Sequence, residues 1–321
     1  MNKLYNPELK ERFLSTYDNE DTRTTIRYAF FKSYLIESVL DKDLADFNLD
    51  EIGKCIANSS PHNVQTAKAT GRFLSAYISW AIEEGIREGS NIDPLKGITS
   101  SWFEQFVDKS KKIHYSLDEF INLLEEIPNA QDQAFLCLLW EGLNLEELRE
   151  IHYNDINWNE NKITVRVRNG EVINLDNRFM RYIENAYKST TYRTFKETGE
   201  HTEKELLQSD YLFKNLKSPR TKEGVPVTNA VFYTRLANIK KEFDLEYLTP
   251  NACKQSGQIH MAAELYKENG KLEYEQFELI GDKYKVSKMT AGEYEYFNTT
   301  LMREYISSEN LKELYNLDVK F

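Results

Sequence analysis

The sequence predicts a mainly α protein with a small β-sheet, built in two parts: an N-terminal helical bundle and a C-terminal mixed domain. Three observations carry this. Apolar residues recur at helical spacing through most of the first hundred positions, between recognisable caps. A wholly apolar run, Ala134 to Trp140, then breaks at Gly142 and resumes as a short helix with Leu145 and Leu148 on one face. Directly after it comes KITVRVRNGEVINL, two alternating runs around Asn169-Gly170, the strongest short-range signal for a β-hairpin.

The 321 residues suffice for two domains of ordinary size. Hydrophobic residues at 40% and charged residues at 29% fit a soluble globular mix. No apolar run approaches a membrane span, and the opening MNKLYNPELKERF lacks the apolar centre of a signal peptide. Cys55, Cys137 and Cys253 lie far apart without metal spacing, which fits a reducing cytosol. The histidines are scattered singly, and no Gly-rich phosphate loop occurs, so neither metal nor cofactor is expected. The net charge of −11 argues mildly against nucleic acid, because non-specific affinity comes from cations on phosphates. Net charge is an average, however, and 41 Lys and Arg can still line one face.

In the first part, Pro7 opens a helix to Tyr17 with Leu9, Phe13 and Leu14 on its stripe. Asp21-Thr22 is read as the cap of Thr24 to Leu40, with Ile26, Phe30, Tyr34 and Val39 inward. Asp46 to Ala57 is a short helix, and Ser59-Ser60-Pro61 caps a long one running to Gly85. On that last helix Lys68 and Arg72 share a face away from the stripe, which by itself reads as solvated. A basic connector, Asp108 to Lys112, places the boundary between domains 1–108 and 109–321.

In the second part, Ser116 and Glu119 form a capping box for Leu117 to Ile127. Arg166 and Arg168 project from the hairpin opposite the valines. The adjacent carboxylates Glu146 and Glu147 read as solvated. Asn177 to Tyr192 is a helix, and the charged stretch Lys196 to Gln208 a loop or insert. Lys214, Lys217, Arg220 and Lys222 cluster with Ser218 and Thr221, as a solvated loop or a phosphate contact. The helix Asn229 to Phe243 carries Arg235, Lys240 and Lys241.

These elements, in this order, resemble the tyrosine recombinases (the phage integrase family). The N-terminal bundle, ending in SPHNVQTAKATGRFLSAYISWAIEEGI and Asp93-Pro94-Leu95, resembles that family's helical (SAM-like) core-binding domain, which clamps DNA. The apolar helix, the Gly142 turn, the Glu-Leu pair and Asp155-Ile156 resemble the opening of its catalytic domain. Thr249-Pro250 to Ser256 resembles the family's Thr-Pro-His-x-x-Arg-His-Ser/Thr motif, and Phe277 to Asp282 its Leu-Leu-Gly-His. The chemistry departs at each frame. The first catalytic arginine falls on Asn144, the histidine on Asn251, the second arginine on Lys254 and the last histidine on Asp282. Arg168 is the nearest match to the hairpin lysine but a poor general acid, since arginine holds its proton. Tyr294 and Tyr296 are the candidate nucleophiles, slightly late.

Cleavage puts charge on a pentacoordinate phosphorus. Losing one preorganised clamp costs roughly 100-fold or more in rate, and lysine lacks the planar fork of arginine. At least three positions have lost that chemistry together. A tyrosine alone cannot compensate, because phenol ionises near about pH 10. The resemblance therefore implies a fold that grips duplex DNA without cutting it, with Lys68, Arg72, Arg166, Arg168, Lys217, Arg220, Lys222, Arg235 and Lys254 as contacts. It resembles in particular the integrase-like repressors that maintain lysogeny in SPβ-like Bacillus prophages. An active or accessory recombinase is the alternative. A phage or host anti-repressor is an expected partner. Leu301 to Leu317, through Leu301, Tyr305, Leu311 and Leu314, is expected either to dock on a second copy or to fold back.

Overall fold

Asn19, not Asp21-Thr22, starts the second helix: its side chain accepts the Thr22 N–H. The computed structural model describes residues 3–61, 63–107, 112–195, 201–292 and 294–321. It divides the chain into two units, Met1–Lys111 and Lys112–Phe321. The connector residues 108–111 lie outside the described residues.

The first unit consists of α1 (Pro7–Leu14), α2 (Glu20–Leu40), α3 (Leu49–Asn58), α4 (Val64–Glu83) and a short α5 (Ser100–Glu104). Asn48 and Glu51 form a full capping box on α3. Asn63 caps α4 in place of Ser59-Ser60-Pro61, because its side chain can reach the Thr66 N–H. Phe13, Phe30, Leu74 and Tyr77 fill the core. Val39, expected inside, is 75% exposed. Ile26, Phe30, Ser33 and Glu37 hold the inner face of α2, and Val39 lies about 200° around the helix from Glu37. The buried Glu37 carboxylate is held there by Lys10 Nζ at 2.6 Å, Ser33 Oγ at 2.8 Å and the Leu44 N–H at 2.8 Å. A buried carboxylate is tolerable only when so satisfied.

The second unit is organised around α7 (Ala130–Trp140), in which every residue from Ala134 to Trp140 is buried. It packs against α6 (Leu117–Glu126), α9 (Asn177–Lys188), α10 (Asn229–Glu242) and α11 (Pro250–Asn269). The capping box of Ser116 and Glu119 forms as expected. After the short α8 (Leu145–Arg149) comes an antiparallel sheet, β1 (Ile156–Asn157), β2 (Lys162–Val165) and β3 (Glu171–Asn174). Its register pairs Ile163 with Ile173 and Val165 with Glu171. The strand therefore stops at Val165, and the hairpin turn spans 166–170 rather than two residues. Asn169 and Gly170 do take positive φ, but Arg166–Arg168 forms a 3₁₀ turn that leaves Val167 53% exposed.

The stretch expected as a loop or insert holds a two-stranded ribbon, β4 (Thr191–Phe195) with β5 (His201–Glu205); residues 196–200 lie outside the described residues. Thr249 caps α11, which runs unbroken through the Thr-Pro motif. Then follow α12 (Tyr274–Tyr284), the hairpin β6 (Lys288–Ala291) and β7 (Tyr294–Phe297), α13 (Thr299–Met302) and α14 (Ser308–Tyr315). The C-terminal segment folds back on its own unit. Leu311 is buried, Tyr315 Oη accepts the Leu117 N–H at 3.2 Å, and Val319 closes the cluster.

Candidate functional site

Gly142 ends α7 at φ +97, where a Cβ would lie 2.8 Å from the Tyr284 ring. The chain then turns into Asn144, which serves as the N-cap of α8. Its side chain accepts the Glu147 N–H at 3.0 Å, and Glu147 Oε2 accepts the Asn144 N–H at 2.8 Å. The position that resembles the first catalytic arginine thus has a structural task. Glu147, expected to be solvated, is buried. Its N3 place in an Asn-x-x-Glu capping box is the signal that could have found it.

The same carboxylate takes the Arg168 guanidinium in a two-point fork, Nε to Oε1 at 2.5 Å and Nη2 to Oε2 at 2.8 Å. Arg168 Nη2 also donates to the Gly142 carbonyl at 3.1 Å. Only 9% of the Arg168 side chain is exposed, so it does not project from the hairpin as expected. The 3₁₀ turn after Val165 swings it inward. Arg168 Nη1 stays buried without a partner. Lys254, on the first turns of α11, completes the cluster. Burial first, then the Arg168 charge, depress its pKa, and Glu147 works against both. Asn144, Glu147, Arg168 and Lys254 thus form one group with a single carboxylate between two cations.

The other site positions stand apart from it. Asn251 is exposed. Asp282 is exposed and lies 3.8 Å from Lys288. Tyr294 and Tyr296 sit on the outer side of the β6–β7 hairpin with Met289, and Tyr294 is 80% exposed. Tyr284, by contrast, is fully buried, and burial pushes its phenol well above the ordinary range.

Two further cations are corrected. Arg235 is buried, 3.8 Å from Asp132, stacked 4.9 Å from the Tyr192 ring centre, and donates to the Lys214 carbonyl at 3.1 Å. Lys214 is buried and donates to the Tyr187 and Ser189 carbonyls. Their partners lie far off in sequence, and both serve the core. The remaining expected contacts are accessible. Arg72, Arg220 and Lys222 are exposed and form no ion pair among the described residues. Lys68 donates to Ser100 Oγ at 3.1 Å, Arg166 pairs with Asp155 at 2.7 Å, and Lys217 pairs with Glu205 at 2.5 Å. The exposed Lys217–Glu205 pair contributes little, about 0–1 kcal/mol, so it can exchange partners. Among the described residues no group of His, Cys, Asp and Glu could hold a metal, and no helix is long and apolar enough to cross a membrane.

A buried helix turning through glycine into a capped short helix and a three-stranded sheet, followed by a Thr-Pro-capped helix, defines the tyrosine-recombinase catalytic fold. A Tn1549 transposon integrase solved in complex with circular intermediate DNA shares it, at TM-score 0.51 and 14% identity over 97% of this chain and 99% of that one. Family profiles described as "MrpR, N-terminal core-binding domain" and "MrpR, C-terminal catalytic domain" match residues 4–83 and 114–316, and the chain belongs to this MrpR family. The SPbeta prophage-derived uncharacterized protein YopR of Bacillus subtilis (strain 168) is 27% identical over 325 residues, 97% of each chain.

Proposed function

We propose that this protein binds duplex DNA at specific sites without cleaving it and acts as a prophage transcriptional repressor that maintains lysogeny. The Glu147–Arg168 fork is the observation that carries the reading. An arginine whose two-point face is filled by an internal carboxylate cannot offer that face to a phosphate in the transition state. Asn144 supplies no charge, and Lys254 is a point charge without a fork. Lys254 retains donors enough to hold a ground-state phosphate. The solved integrase that shares the fold is a DNA complex, and the curated relative is prophage-derived, which supports the duplex and the setting.

An active or accessory recombinase is the second reading, favoured by the exposure of Tyr294. A suicide substrate decides between them: no covalent adduct is expected, and an adduct lost in Tyr294→Phe or Tyr296→Phe would overturn the proposal. Asn144→Arg is expected to leave the chain inert, since Asn251 and Asp282 are unchanged. Arg72→Ala and Lys222→Ala should each weaken operator binding and lower the salt slope by about one. Unchanged affinity and slope in both, in mobility-shift titrations at two salt concentrations, would remove them from the DNA face. Mapping of bound DNA in a lysogen tests the repressor role, which fails if occupancy avoids phage promoters.

A further inference from the structure

The second unit holds a cavity of about 490 Å³ between the β4–β5 ribbon, the segment 215–221 and the side of α10. That size lies within the range of small-molecule sites. Its charge sets it apart from the rest of the chain. The protein carries a net charge of −11, yet none of the residues lining this cavity is a carboxylate. Tyr192, Leu216 and Val231 supply an apolar wall. Lys204 at the rim is exposed and forms no ion pair among the described residues, and Lys217 beside it pairs with the exposed Glu205. Two amides face the same space. Among the described residues the Asn238 side chain makes no hydrogen bond, while Asn215 donates one amide N–H to the Val225 carbonyl at 3.0 Å and keeps its oxygen.

A ligand complementary to this set has a flat apolar body, an edge that both donates and accepts hydrogen bonds, and an anionic group. Carboxamides match base edges because each offers a donor and an acceptor. Ammonium groups match phosphate through charge-assisted hydrogen bonds. We propose that this cavity is a binding site for a free mononucleotide, with the base against the Tyr192–Leu216–Val231 wall and the phosphate at Lys204 and Lys217. The site stands on its own geometry and does not require the DNA-binding reading. Because segment 215–221 forms one wall and also carries Arg220, occupancy would set the position of that cation.

Titration calorimetry of the full chain with adenosine and guanosine 5′-monophosphates, the free nucleosides and inorganic phosphate tests the assignment. Saturable binding of at least one mononucleotide is expected, stronger than that of its nucleoside or of phosphate. Lys204→Glu and Asn238→Ala should each weaken it about tenfold or more, the former by charge and the latter by the base edge. Both positions are accessible, so unfolding is not expected, and matching thermal transitions would show that folding is kept. Absence of saturable binding by every mononucleotide overturns the proposal. So does a response to a short DNA duplex alone, which would assign the lysines to a backbone phosphate. The same preparation in a mobility-shift titration reports DNA binding separately, so either reading can fail without the other.

Discussion

Arg168→Ala is expected to destabilise the second unit by about 3–5 kcal/mol, the cost of leaving a buried carboxylate without its partner. Glu147 and Arg168 are 8% and 9% exposed, so water cannot replace the lost guanidinium easily. For a unit of this size the loss corresponds to a fall of roughly ten degrees in Tm. Removing both charges separates the pair from the site. In Glu147→Gln with Arg168→Met, no unpaired charge remains, and stability should recover to within about 1–2 kcal/mol of the parent. A single substitution costing under about 1 kcal/mol in urea unfolding would mean that the fork does not hold the turn. Operator binding by the single variant would also fall, through loss of the folded turn rather than of a phosphate contact. The double variant distinguishes these causes, because it restores the fold without restoring the cation.

Gly257→Ala should cost about 3 kcal/mol, although alanine favours a helix interior by about 1 kcal/mol over glycine. A Cβ at this position would lie 2.1 Å from the Trp140 carbonyl oxygen and 2.7 Å from the Tyr284 hydroxyl. The first obstacle is backbone at the end of α7, which cannot turn aside. Helix α11 would have to move away, taking Lys254 from the charges of Arg168 and Glu147. Gly71→Ala is the contrast. Its new methyl would meet side chains alone, the edge of the Phe103 ring at 2.7 Å and Ile56 at 3.6 Å, and no backbone. Chemical denaturation should therefore rank Gly257→Ala well above Gly71→Ala in cost, and equal costs would refute the close-approach argument.

What the sequence disclosed follows from how locally each feature is determined. The capping box at Ser116, the buried run Ala134 to Trp140 and the turn at Asn169-Gly170 depend on neighbours a few residues away, and patterns of that range are legible. Destinations of charge are not. Arg235 meets Asp132, Lys214 meets the end of α9, and Arg168 meets Glu147, all across segments that no periodicity connects. A cation reads the same in sequence whether it ends on a phosphate or on a buried carboxylate. The exposure of Val39 has the opposite origin: a satisfied Glu37 displaced the hydrophobic residue that patterning alone would have turned inward.

The return of the C-terminal segment bears on when this protein becomes competent. The bond from the Leu117 N–H to Tyr315 Oη closes a span of 198 residues. Contacts of such separation carry the largest loop-closure entropy and form late. During synthesis, the start of α6 lacks this partner until Tyr315 has emerged, and the core cluster around Ile259, Phe277 and Leu311 stays open until the same moment. The unit therefore cannot be finished piecemeal on the ribosome. Its folded form arrives in one step, after α14 has been made.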